Sequence, residues 1–205
     1  ISGNSAIVGG GIAMNECSTF LTNMIIKDNW ASYASGIYLE RSNPTFTNFT
    51  ITGNLTDYFG GGIILANSFP KLVNCILWNN SPQELYFIPY EYENPSSILI
   101  SYSDIQGGEF AIETNNNGTV NWLEGNIGED LQLHDPLFVD QDNYDFSLQE
   151  NSPCIDAGTA YFEFEDEVLI DLSSDEYYSS APDMGAFEWY PEEPDYQPGD
   201  VTQDG

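Results

Sequence analysis

The last seven residues, "GDVTQDG" at positions 199 to 205, have side chains spaced as in a metal loop. Read as a calcium loop, they place Asp200 at position 1, Thr202 at position 3, Asp204 at position 5 and Gly205 at the sharp turn. Calcium is a hard cation that collects several oxygen ligands, and alternate side chains of one turn can supply them. The acidic bidentate ligand that closes such a loop lies about six residues further on, so these residues form an incomplete calcium site.

Other residues with chemical potential are defined by charge. The 205 residues include 33 acids and 3 bases, a net charge of −30. Four of the acids (Glu16, Asp28, Glu40, Asp57) and all the bases (Lys27, Arg41, Lys71) lie within residues 1 to 80, so the remaining 29 acids face no Lys or Arg beyond residue 80. Such a chain repels polyanions, which excludes nucleic acid and anionic lipid surfaces as partners. It contains no apolar run long enough to cross a bilayer, so membrane insertion is not expected. The runs "EFEDE" (163 to 167) and "DLSSDE" (171 to 176) are either a solvated surface or a source of calcium ligands. If they bind calcium, a chelator will lower the melting temperature. Cys17, Cys75 and Cys154 lack zinc-type spacing; they read as small buried groups, with a Cys17–Cys75 disulfide as the alternative. His134, the single histidine, has no second histidine and no cysteine close in sequence, and reads as a local turn contact rather than a metal or catalytic group.

The elements that position these residues follow from an internal repeat. "ISGNSA", "IKDNWA", "ITGNLT" and "LWNNSP" begin at Ile1, Ile26, Ile51 and Leu77, at intervals of 25, 25 and 26. Gly11, Gly36 and Gly62 recur with the same period. Units this short, rich in Ile, Thr, Phe, Asn and Gly with period-two alternation, predict strands and turns. The fold class expected is all-β: a right-handed parallel β-helix (solenoid) of about 25 residues per coil. Equivalent residues of successive coils then stack as ladders: Ile12, Ile37 and Ile63; Met14, Leu39 and Leu65; Leu21, Phe46 and Leu72. Two asparagine ladders are expected, Asn4, Asn29, Asn54 and Asn80, and Asn23, Asn48 and Asn74. Their amides would bond coil to coil while satisfying turn backbone groups. The "NFT", "NLT" and "NGT" sequons are therefore better read as structural. The fourth coil is stretched, with Leu77 matched to Ile105. The expected division is coils over 1–106, an irregular β-rich C-terminal cap over 107–190, an acidic Pro-rich linker over 191–198, and the half-loop over 199–205.

Four motifs carry a resemblance. The "GGI" coils are followed by "SYSDIQGG", "DPLFVD", "SPCIDAGT" and "DMGAFEWY", in that order. The chain resembles secreted bacterial right-handed parallel β-helix proteins of the pectin-lyase-like fold that end in a choice-of-anchor Q type region. This implies export and surface attachment, with no fixed activity. "GDVTQDG" resembles the opening of a dockerin repeat, which implies calcium at Asp200, Thr202 and Asp204 and a cohesin-like protein partner.

Enzymatic β-helices place acids or bases on neighbouring coils. Here Glu16 aligns with Arg41 and Asn67, and Glu40 aligns with Asn15 and Ala66, so no two acids stack. Lys27 and Lys71 fall in different ladders. No catalytic residue is assigned, and whether the chain is an enzyme stays open. The leading expectation is an extracellular structural or adhesive module that is tethered through its tail or assembles head to tail with a neighbouring subunit. One alternative is the C-terminal part of a polysaccharide lyase or glycoside hydrolase with catalytic coils upstream of residue 1. The other is a carbohydrate-binding module for extracellular polysaccharide, using Tyr86, Phe87, Tyr90, Tyr92, Tyr177, Tyr178, Trp189 and Tyr190 for stacking, or else those rings seal the helix.

Overall fold

A computed structural model describes residues 1–89, 93–128 and 134–191. The repeat folds as a parallel β-helix of about five coils. Coil one contains β1 (Ser5–Val8), β2 (Ile12–Asn15) and β3 (Phe20–Lys27). Coil two contains β4 (Trp30–Tyr33), β5 (Ile37–Glu40) and β6 (Thr45–Thr52). Coil three contains β7 (Leu55–Phe59), β8 (Ile63–Ala66), β9 (Lys71–Val73) and β10 (Ile76–Trp78). Coil four contains β11 (Leu85–Phe87), β12 (Ser96–Ser101) and β13 (Asp104–Ile105), and coil five contributes β14 (Gly118–Trp122). One sheet runs β1-β4-β7 and a second β2-β5-β8-β11. The third combines β3, β6 and the shorter strands that succeed them.

The inner ladders match the sequence period. Ile12, Ile37, Ile63 and Leu85 are in register, as are Met14, Leu39, Leu65 and Phe87. Leu77 pairs with Ile105 across the stretched coil. Parallel pairing also continues beyond residue 106: β14 extends β12, and Ile127 bridges to Asp104. The period fades there because the apolar positions of coil five, such as Val120 and Trp122, are few and only partly buried.

Corners explain the repeat's composition. Gly3, Asp28, Gly53 and Asn79 form one left-handed column; Glu16, Arg41 and Asn67 form another; Asn23, Asn48 and Asn74 form a third, with φ of 54° at each asparagine. Asparagine tolerates this region better than other residues with a Cβ. At Gly36 a Cβ would lie 2.3 Å from the Gly62 carbonyl oxygen, so the "GGI" glycines are required where coils approach most closely.

Polar corner groups are satisfied by the neighbouring coil. Asn4 Nδ2 donates to Asn29 Oδ1 at 3.0 Å, Asn29 Nδ2 to Asn54 Oδ1 at 2.9 Å, and Asn54 Nδ2 to Asn80 Oδ1 at 2.8 Å. Asn80 Nδ2 donates to the Glu84 carboxylate, which ends the column with a group that only accepts when ionised. At another corner the backbone N–H groups of Cys17, Ser42 and Ser68 donate to Ser42, Ser68 and Ser96 Oγ at 3.0–3.1 Å. Cys17 N donates to Ser42 Oγ and Cys75 N to Ser103 Oγ, so the two cysteines belong to different corner columns and do not pair. All three cysteines are free, Cys17 being only half-buried.

The C-terminal region is β-rich and irregular, and its described contacts run along the side of the solenoid. β15 (Phe138–Asp140) pairs with β16 (Asp145–Leu148), and β17 (Tyr161–Phe164) with β18 (Glu167–Asp171), both antiparallel. Phe138, Phe146, Leu148, Cys154 and Met184 pack on Ile76 and Trp78, while Leu169 and Ile170 pack on Val73 and Leu99. The sequence predicts closure over the end of the helix. Glu113, β14 and Ile127 stack on the end of the helix, while the outward face of β9, β10 and β12 is itself apolar and holds the residues from Phe138 onward along that wall.

Asn54→Ala is expected to lower unfolding free energy by about 3 kcal/mol, because it strands buried Asn29 donors and removes the Asn80 bond. Asn4→Ala, at the exposed end, should cost under about 1 kcal/mol. Urea denaturation of both variants checks this; equal losses would contradict the ladder's role.

Candidate functional site

Asp200, Thr202 and Asp204 lie outside the described residues. Among the described residues, no group of three or more His, Cys, Asp or Glu side chains is placed to hold a metal ion. The asparagines expected to stack do so, and Asn74 also reaches beyond its column. Its Oδ1 accepts from Thr159 N and its Nδ2 donates to Thr159 O, both at 2.9 Å. The column thus ends by holding the "SPCIDAGT" segment. Gly185 of "DMGAFEWY" lies so close that a Cβ would meet Ile76 Cδ1 at 2.7 Å, and Ala186 N donates to Thr50 Oγ1 at 3.0 Å. Asp156 and Asp183 lock the two motifs together. Asp183 accepts from Asp156 N at 2.8 Å and from Trp189 N, and Asp156 accepts from Ser180 N at 3.1 Å.

The three bases are all engaged. Lys27 pairs with Asp28 at 2.9 Å and lies 3.2 Å from the centre of the Tyr144 ring, joining coil one to the lateral region. Lys71 pairs with Glu167 on β18, and Arg41 pairs with Glu40 at 2.7 Å and Glu16 at 3.2 Å. Two of the three are held against the lateral region, and Arg41 is shared between two carboxylates.

The aromatic residues separate by environment. Phe87 is inside the core, and Trp189 packs against the lateral cluster. Tyr178 contacts Tyr190 at 5.3 Å. Tyr90 and Tyr92 are outside the described residues. Tyr86 joins three rings that the sequence pattern does not single out. Tyr58 stacks on Tyr33 at 4.9 Å, Tyr33 contacts Phe59 at 6.3 Å, and Phe59 stacks on Tyr86 at 4.9 Å. The ladder explains the arrangement: Val8, Tyr33 and Phe59 are register partners of β1, β4 and β7. A 26-residue interval in coil three shifts Phe59 into that register, a detail the simple period conceals. Tyr33, Phe59 and Tyr86, with Val8, Tyr38, Ile64, Ile88 and Pro89, line an apolar cleft of about 580 Å³, and Tyr58 flanks it by stacking on Tyr33. Tyr58 is 55% exposed, Phe59 42% and Tyr33 39%. Exposed aromatics grouped at this density mark a contact surface.

A larger groove of about 800 Å³ runs past Asp145, Glu150, Glu188 and Tyr190. Its carboxylates are partly committed: Glu188 accepts from Asp183 N at 2.9 Å and Tyr178 N at 3.3 Å, and Asp145 accepts from Ser147 N at 3.0 Å. The aromatic cleft is therefore the better binding candidate.

Strongly raised carboxyl pKa values often indicate catalysis, but here the groups are inaccessible. Burial pushes Glu84 up to about 8, Asp104 to about 7 and Asp183 to about 6, and the three are 5%, 0% and 3% exposed. The Cys154 thiol lies 3.3 Å from Asp104 Oδ2, while Asp104 Oδ1 has no partner. These acids line neither cleft, so they act on stability.

No known protein family, curated protein or solved structure matches this chain. The fold places it among parallel β-helix proteins.

Because the folded-state pKa values of Glu84, Asp104 and Asp183 exceed their unfolded values, the native state binds protons more tightly. Their cost is absent below about pH 3, grows as pH rises, and is nearly complete above about pH 8. In about 0.5 M salt, which suppresses surface repulsion, melting temperature should fall from about pH 5.5 to about pH 8. Asp104→Asn should flatten the slope; a flat wild-type profile would refute this account.

Proposed function

We propose that the chain is a non-catalytic adhesive module that holds an extracellular polysaccharide in the aromatic cleft of a rigid β-helix. The observation carrying this reading is the row Tyr33–Phe59–Tyr86, which comes from three successive coils, lines the cleft and is flanked by the exposed Tyr58. Sugar rings present apolar C–H faces and polar hydroxyl edges, which suits a cleft with aromatic walls and the Tyr38 hydroxyl as a polar group. A site assembled by stacked coils is preorganised, so little side-chain ordering opposes binding.

The motif order at 101–190 favours a secreted β-helix with a choice-of-anchor Q type region, and "GDVTQDG" favours attachment through a dockerin-like repeat to a cohesin-like partner. In this reading the helix supplies the adhesive surface and the tail supplies the tether.

Affinity electrophoresis or calorimetry against neutral, amino-substituted and uronate oligosaccharides tests the proposal. At least one class should bind, and Tyr33→Ala should weaken binding by about tenfold, equivalent to about 1.4 kcal/mol, with the cooperative melting transition retained. Retention of none of the three classes by the wild-type protein would overturn it.

A further inference from the structure

The rim of the aromatic cleft indicates the charge of its ligand. Ala13, Tyr38, Ile64, Tyr86 and Glu113 form one outward ladder, so a carboxylate terminates the same column that carries two of the cleft's rings. Glu113 is exposed. Glu40 lies two residues after Tyr38 on the same face of β5. Glu93 N donates to the carbonyl of Pro89 at 3.3 Å, and Pro89 lines the cleft, so Glu93 stands at the cleft's edge; burial first, then the negative fields of Glu40 and Glu93, raise the Tyr38 hydroxyl pKa. Arg41 opposes them, but its charge is shared between Glu40 and Glu16. Lys27 and Lys71, the only other basic side chains apart from His134, are held against the lateral region. The rim therefore carries more negative charge than its single cation offsets.

We propose that the cleft selects a positively charged glycan, a polysaccharide of hexosamine units with free amino groups, and rejects polyuronates. This rests on the reading of the cleft as a glycan site. The aromatic walls take the apolar sugar faces, while Glu93 and Glu113 attract the ammonium groups from the rim. An ammonium over an aromatic ring gains a further electrostatic attraction from the ring's negative face. A uronate in the same position brings its carboxylate against Glu93 and Glu113 with no available cation nearby, and like-charge juxtaposition discriminates strongly.

Calorimetry compares a β-linked hexosamine hexamer with free amines, its N-acetylated form, and a uronate hexamer. At about 50 mM salt the free-amine form should bind about fivefold to tenfold tighter than the acetylated one, and the advantage should shrink at about 500 mM. The uronate should not bind. Glu93→Gln combined with Glu113→Gln should remove the advantage without changing affinity for the acetylated hexamer, and Tyr33→Ala should weaken both. Equal affinity for free-amine and acetylated forms would overturn charge selection while leaving glycan binding intact. Failure of every hexamer would remove the glycan reading itself. Free-amine binding that is indifferent to Tyr33→Ala would assign the attraction to the protein's general negative surface and overturn the proposal.

Discussion

Each coil of this protein buries polar groups at its corners that the next coil satisfies. The amide of Asn54 receives two hydrogen bonds from Asn29 and donates one to Asn80, so it serves three coils at once. The Ser42, Ser68 and Ser96 hydroxyls do the same with backbone N–H groups. Buried donors left unpaired are costly, so slipping one coil against another would break several such columns together. This constraint holds the register, and the register decides which outward side chains meet.

The lateral region depends on that wall. Asn74 holds Thr159, Thr50 receives Ala186, and Gly185 fits where no side chain fits. Lys27 and Lys71 lend their charge and stems to a region that has no Lys or Arg of its own. Two of the three bases in the chain are committed to this attachment, and the third balances Glu16 and Glu40. The distribution of charge is thus a consequence of architecture as much as of solubility, and it leaves the cleft rim negative.

The fold is legible in the sequence because a solenoid repeats its physics. Ile12, Ile37 and Ile63, or Leu77 and Ile105, can be matched by spacing alone, and the structure pairs them. The aromatic cleft is not legible in the same way. Tyr33, Tyr58 and Phe59 do not stand out in a chain with 13 tyrosines and 12 phenylalanines, and Tyr86 alone of the four belongs to the aromatics that cluster in sequence. The signal that could find them is the extra residue of coil three, which moves Phe59 rather than Tyr58 into register with Tyr33. The serine column escapes sequence reasoning because serine in turns is common and its partner groups lie about a coil away.

Sequence alone determined the period, the inward ladders, the corner asparagines and the uneven charge, because those follow from local side-chain type repeated at a constant interval. Tertiary structure decided where the C-terminal region lies, which acids become buried, and which rings share a cleft. Those outcomes depend on the outer face of the stack, where no repeat constrains the residues and contacts join positions far apart in the chain.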